Sequence, residues 1–141
     1  MPAARLCSAN GMVLVDSAPW IDLLSGADSP ESRLLEQWLL GGAPVATTGV
    51  VLQEVLQGAR TEHDLNLLRA RLGRLAFLRA GKETHVEAAR LFRKARQRGH
   101  VVPAADALIA ATALAYGTPL LTTDRKHFRA LARLSKLRLA T

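Results

Sequence analysis

Met12-Val13-Leu14-Val15 runs four apolar residues straight into Asp16 and Ser17, with Pro19 just beyond. An uninterrupted apolar run bounded by breakers predicts a strand buried on both faces, as parallel strands are. Pro44-Val45-Ala46-Thr47, Leu75-Ala76-Phe77-Leu78 and Pro119-Leu120-Leu121-Thr122 read as three more short strands, and Leu137-Arg138-Leu139 as a last, edge strand. Between them the period turns helical. Pro19 to Leu24 predicts a short helix closed by Gly26. Ser29-Pro30-Glu31 starts another, with Leu34, Leu35, Trp38 and Leu39 on one face and Gly41-Gly42 at its end. Thr48 caps a helix through Val50, Val51, Leu52, Val55 and Leu56 that ends at Gly58. Thr61 with Asp64 resembles a capping box for a helix bearing Leu65, Leu68 and Leu72.

The second half continues the alternation. Glu83 to Arg98 predicts an amphipathic helix, with Val86, Ala89 and Phe92 on one side and cations gathered at its end before Gly99. Pro103 to Tyr116 predicts a helix closed by Gly117, and Arg125 to Leu134 a basic one. Helices alternating with short strands imply an α/β fold around a mostly parallel sheet, with right-handed crossovers. Residues 12–141 read as a single domain. Residues 1–11, which precede a second methionine at Met12, read as a disordered lead-in or an upstream start.

Composition narrows the class. The chain has 141 residues, 49% of them hydrophobic and only 4% aromatic, which favours Leu/Ala/Val helices on a buried sheet over a β-sandwich. Cys7 is the only cysteine, so an internal disulfide is excluded and a reducing, cytoplasmic setting is expected. The most apolar stretch, Ala104 to Ala115, is too short to span a bilayer and carries Asp106, so no membrane role is expected. A net charge of +7 points to an anionic partner, nucleic acid first.

Against that basic background, four acids stand out. Asp16 ends the first strand. Asp124 repeats its form after Leu120-Leu121-Thr122-Thr123, so two parallel strands would deliver both acids to one sheet edge, where open α/β sheets bind ligands. Asp106 is the only charged residue between Ala104 and Ala115, and a carboxylate on so apolar a helix is costly unless paired or bound to a cation. Glu54 lies one to two turns into the helix that follows the second strand, near the same edge. Taken singly, each has a structural explanation: a helix start for Asp106, an N-cap for Asp124, a solvent-facing position for Glu54. Converging, they cannot all stay ionised without a cation. Oxygen-only ligands suit Mg²⁺ or Mn²⁺, and a basic chain with its acids gathered at one spot points to metal-assisted chemistry on a phosphate.

These residues resemble the PIN-domain ribonucleases, and most closely the VapC-type toxins of bacterial toxin–antitoxin pairs. The resemblance rests on VLVDSAPW with Asp16, TTGVVLQEVLQGAR with Glu54, PAADALIAATALAYGTPLLTTD with Asp106 and Asp124, and the trailing RKHFRAL. It covers essentially all of residues 12–139. It implies a three-layer α/β/α fold with a central, mostly parallel sheet of four to five strands. It also implies a Mg²⁺- or Mn²⁺-dependent endoribonuclease acting on structured RNA, tRNA or rRNA, and a cognate antitoxin whose tail covers the acidic pocket. Asp16, Glu54 and Asp106 would then be core metal ligands and Asp124 the fourth acid. Ser17, with Thr122 or Thr123, would orient the carboxylates. Two details depart from the family's commonest pattern. Ser17-Ala18 stands where a Thr-Ser pair is frequent, and Arg125-Lys126-His127 stands where some relatives carry a further acid.

Other residues receive plainer readings. Arg93, Lys94, Arg96, Arg98, Arg125 and Lys126 are candidates for RNA backbone contacts. His63, His85, His100 and His127 show no paired metal spacing, and His127, close behind Asp124, reads as a surface helix residue rather than a phosphate contact. Trp20, Phe92 and Phe128 read as core or interface packing. Apolar faces at Leu34–Leu39 and Leu65–Leu72 leave room for a homodimer. A haloacid-dehalogenase-type phosphatase would need an acid where Ala18 stands, and a receiver module one near Thr47 and Thr48. A non-catalytic PIN-like module that only binds RNA or protein is the alternative reading. Retention of all four acids argues against it.

Overall fold

The computed structural model describes residues 11–140. The lead-in expected over 1–11, with Cys7, lies outside them apart from Gly11. Four strands form one parallel sheet in the order β3-β2-β1-β4. They are β1 (Val13–Val15), β2 (Val45–Thr48), β3 (Ala76–Leu78) and β4 (Leu120–Leu121). Seven helices flank the sheet. They are α1 (Ser17–Ser25), α2 (Pro30–Leu40), α3 (Gly49–Leu56), α4 (Glu62–Leu72), α5 (Lys82–Gln97), α6 (Ala104–Tyr116) and α7 (Arg125–Arg133). The result is the expected α/β/α arrangement.

β1 lies inside the sheet, and its unbroken apolar run follows from that position. Val13, Leu14 and Val15 are fully buried, because helices cover both faces and strands pair both edges. Leu14 is registered against Ala46 on one side and Leu120 on the other. Thr118 donates its hydroxyl to the Met12 carbonyl at 2.8 Å, fixing the start of that pairing. β3, at the edge, leaves Phe77 exposed. The final strand expected at Leu137–Leu139 is reduced to one parallel bridge, Leu120↔Leu139. Leu120 and residues 138–140 still exchange two backbone hydrogen bonds, which cover the outer edge of β4.

Most helix boundaries follow the predicted chemistry. The cap expected at Ser29 is a full capping box, in which its hydroxyl and that of Ser32 each accept the other's backbone N–H at 3.0 Å, whereas the box expected at Thr61 is reduced to a single cap. At Thr61 the hydroxyl accepts the Asp64 N–H. Gly26 and Gly117 close α1 and α6 in the left-handed region, at φ 80° and 61°. α5 differs from the expected face. Its buried residues are Ala88, Leu91 and Ala95, while Val86 and Ala89 are exposed and Phe92 is half-buried. Seven of the thirteen residues of the neighbour α6 are Ala, and small Ala88 and Ala95 let the two helices approach closely. Among the described residues, no helix is long and apolar enough to cross a membrane.

Candidate metal centre

The ends of β1 and β4 and the starts of α1, α6 and α7 build one acidic site. Asp16 leaves β1 and immediately caps α1, its Oδ1 accepting the Ser17 N–H at 2.8 Å. Its other oxygen, Oδ2, accepts the Thr122 hydroxyl at 2.8 Å. Asp16 is 5% exposed, and its backbone N–H is pinned to the Leu121 carbonyl at 2.9 Å. Thr122 works in both directions: having donated to Asp16, its oxygen accepts the Asp124 N–H at 3.0 Å. One hydroxyl thus ties together the acids that end the two strands.

Asp124 caps α7. Its Oδ1 accepts the His127 N–H at 3.3 Å, and its Oδ2 lies 2.7 Å from His127 Nδ1. Asp106, in the first turn of α6, lies across from them, with Oδ2 3.5 Å from the same Nδ1. That oxygen is buried and has no hydrogen-bond partner. α6 offers it none, because Pro103 gives the helix no side-chain cap and the neighbours are Ala, Leu and Ile. One donor atom each from Asp106, Asp124 and His127 lies within 4.8 Å of the others. Glu54 is half-buried on α3, and its charge reaches Asp106.

The electrostatics reflect this crowding. Burial pushes the Asp16 carboxyl above the ordinary range against the hydrogen bonds from Thr122 and Ser17, and the Asp124 charge adds to the rise. Burial, then the charges of Asp16 and Asp124, raise Asp106 to about 7; His127 opposes this and Glu54 adds to it. For Asp124, burial is the largest influence and works upward. Hydrogen bonds from the His127 ring and backbone outweigh it and hold the carboxyl below its usual value. Such a set fits a divalent cation: carboxylate oxygens predominate, one of them is a buried orphan, and positive charge would relieve their repulsion.

Asp16 interacts by charge with Asp106 and Asp124, and Glu54 by charge with Asp106, while the close donor set consists of Asp106, Asp124 and His127 and includes neither Asp16 nor Glu54. Of the two threonines, Thr122 makes the bridging contacts, while the Thr123 carbonyl accepts the Arg125 N–H. The cations are dispersed. Arg125 pairs with Glu31 at 2.8 Å, Lys94 donates to the Leu134 carbonyl at 3.0 Å, and the Arg96 guanidinium sits over Phe92. Arg93, Arg98 and Lys126 are exposed. His127 is the residue that sequence reasoning missed. The signal was present: a histidine three residues after an N-cap Asp faces back onto the capping carboxylate.

Residues 13–134 match the PIN domain family. Ribonuclease VapC32 of Mycobacterium tuberculosis is 34% identical over 117 residues, covering 82% of this chain and 86% of the relative. Ribonuclease VapC19 of the same organism is 31% identical over 117 residues, covering 83% and 92%. Among solved structures, a toxin–antitoxin complex from Klebsiella pneumoniae contains a chain that superposes with a TM-score of 0.67 at 25% identity, covering 82% of this chain and 89% of that one. The chain belongs to the PIN-domain family and, within it, groups with the VapC ribonucleases.

Proposed function

We propose that this protein is the toxin of a toxin–antitoxin pair and cleaves RNA internally, using Mg²⁺ or Mn²⁺ held by Asp16, Glu54, Asp106 and Asp124. The observation that carries the reading is Asp106 Oδ2, a buried carboxylate oxygen without a hydrogen bond, facing the site of two other carboxylates. A bound divalent cation supplies an acidified water and neutralises charge on the phosphodiester. The chain's own residues do the rest. Thr122 and the Ser17 N–H fix both oxygens of Asp16 while leaving lone pairs free. α7 sets the angle of Asp124 through two contacts from one residue. The apolar start of α6 keeps Asp106 partly desolvated, which strengthens its attraction for a cation.

The ribonuclease names of the relatives support RNA as substrate, and the basic surface supports it independently. The family points to tRNA or rRNA. The partner in this reading is a protein antitoxin that covers the acidic pocket, and the Klebsiella pneumoniae complex supports it. The protein would act in the cytoplasm, and the exposed Ile21, Leu24, Leu40 and Leu67, rather than the largely covered faces at Leu34–Leu39 and Leu65–Leu72, fit a homodimer.

The test is cleavage of total RNA by purified protein with Mg²⁺ or Mn²⁺. Cleavage that stops with EDTA and in Asp106→Ala supports the reading. Cleavage that persists under either condition rules it out.

A further inference from the structure

The four carboxylates account for a cation, but they leave His127 without a task. Its ring sits among them. Nδ1 is 2.7 Å from Asp124 Oδ2 and 3.5 Å from Asp106 Oδ2. Adjacent ligands of an octahedral ion with bonds of ~2.1 Å are separated by about 3.0 Å. The two observed distances straddle that value, so Nδ1 already stands at about ligand spacing from each carboxylate oxygen, and the three atoms lie within 4.8 Å of one another.

The backbone that carries the ring is fixed. The His127 N–H is bound to Asp124 Oδ1, and the next residue, Phe128, is fully buried. The other histidines are placed elsewhere. His85 Nδ1 is bound to the Gly81 carbonyl, and His63 and His100 are exposed, away from the described acid cluster. Lys126 and Arg125 flank His127 in sequence, but Arg125 is engaged by Glu31 and an ammonium cannot serve as a ligand while protonated.

We propose that His127 is a direct ligand, through Nδ1, of the cation held by Asp106 and Asp124, and that the centre consequently prefers Mn²⁺ to Mg²⁺. The inference rests on the nuclease reading for the presence of a cation at this site. Imidazole suits transition-series ions, whereas Mg²⁺ takes oxygen. Ligation uses the Nδ1 lone pair, so the proton that Nδ1 shares with Asp124 moves to Nε2 or to solvent. Asp124 is then freed to turn Oδ2 onto the same ion. In the metal-free protein the histidine holds Asp124 in place, and on loading both become ligands.

Pulsed EPR of the Mn²⁺-loaded full chain tests this directly. A ¹⁴N coupling that changes on histidine-specific ¹⁵N labelling and is lost in His127→Ala supports direct ligation. Calorimetry with Mn²⁺ and Mg²⁺ alone gives a second readout. Loss of even a supporting partner costs about tenfold in metal affinity, so His127→Ala is expected to weaken Mn²⁺ by at least that factor while changing Mg²⁺ less. Mn²⁺ bound without histidine coupling overturns the proposal and leaves the nuclease reading intact. So does an equal loss for both ions, which would make His127 a positioning residue. If neither ion binds wild-type protein, both readings fall. The labelled wild-type spectrum decides the matter even if His127→Ala does not fold.

Discussion

Asp106 is held in a state it would not choose in water. Its carboxyl is raised to about 7, chiefly by burial and then by the charges of Asp16 and Asp124. A raised carboxyl binds its proton more tightly folded than unfolded. Its stabilising contribution is therefore full below about pH 4 and is lost as pH rises toward 7. Asp16 acts in the same sense. Asp124, held low, acts oppositely and loses its contribution only as pH falls below the ordinary carboxylate value. Asp106→Asn is accordingly expected to stabilise metal-free protein by roughly 1–3 kcal/mol at pH 8 and to do little at pH 4. Thermal melts at the two pH values check this. At pH 8, added Mn²⁺ should raise the melting temperature of wild type more than that of the variant. Thr122→Val removes the hydroxyl from both Asp16 and Asp124. Its expected cost is about 1–3 kcal/mol in stability and a 10- to 100-fold loss of metal affinity, read by denaturant melts and calorimetry. At this scale the acids were legible because strand ends and an apolar helix made them conspicuous. His127 was not, because its role depends on a ring turning back onto its own helix cap.

At the scale of elements, the legible features were those decided locally. The strand at β1, the caps at Ser29, Thr48 and Thr61, and the stops at Gly26 and Gly117 all follow from residues a few positions apart. The buried face of α5 depends instead on its neighbours. Val86, Ala89 and Phe92 form a good apolar stripe, yet the residues buried on α5 are Ala88, Leu91 and Ala95. The pairing of α2 with α7 was equally hidden. Glu31, at the start of α2, is 8% exposed and its charge is met by Arg125 at the start of α7. Arg125→Ala leaves that carboxylate buried without its partner, an expected loss of about 1–3 kcal/mol. A double-mutant cycle with Glu31→Ala checks it: the coupling should be well above that of an ordinary surface pair. If the cycle gives additivity, the pair does not tie the helices.

For the whole molecule, a third of the twelve acids gather at one edge of a chain with nineteen lysines and arginines. The remaining surface is strongly basic, as a polyanion-binding protein needs. Binding of a non-cleaved RNA should weaken steeply with salt. Neutralising Arg93, Arg96, Arg98 or Lys126 should flatten the log–log slope by about 0.7 for every phosphate that the side chain no longer holds, with similar weakening across RNA sequences. Filter binding over a salt series measures this. Neutralising these residues without a change in slope would place the RNA on another face.

The inner position of β1 has a consequence in time. The strand ending in Asp16 meets β4 across 106 positions of sequence, and Asp106 and Asp124 belong to that late segment. Pairings so far apart form last, because a long loop must close before they repay its entropy. A growing polypeptide therefore presents Asp16 and Glu54 well before Asp106 and Asp124 exist to meet them. The acid cluster is assembled only once the segment from Asp106 to Asp124 docks, so in refolding experiments metal binding should appear with the slowest phase.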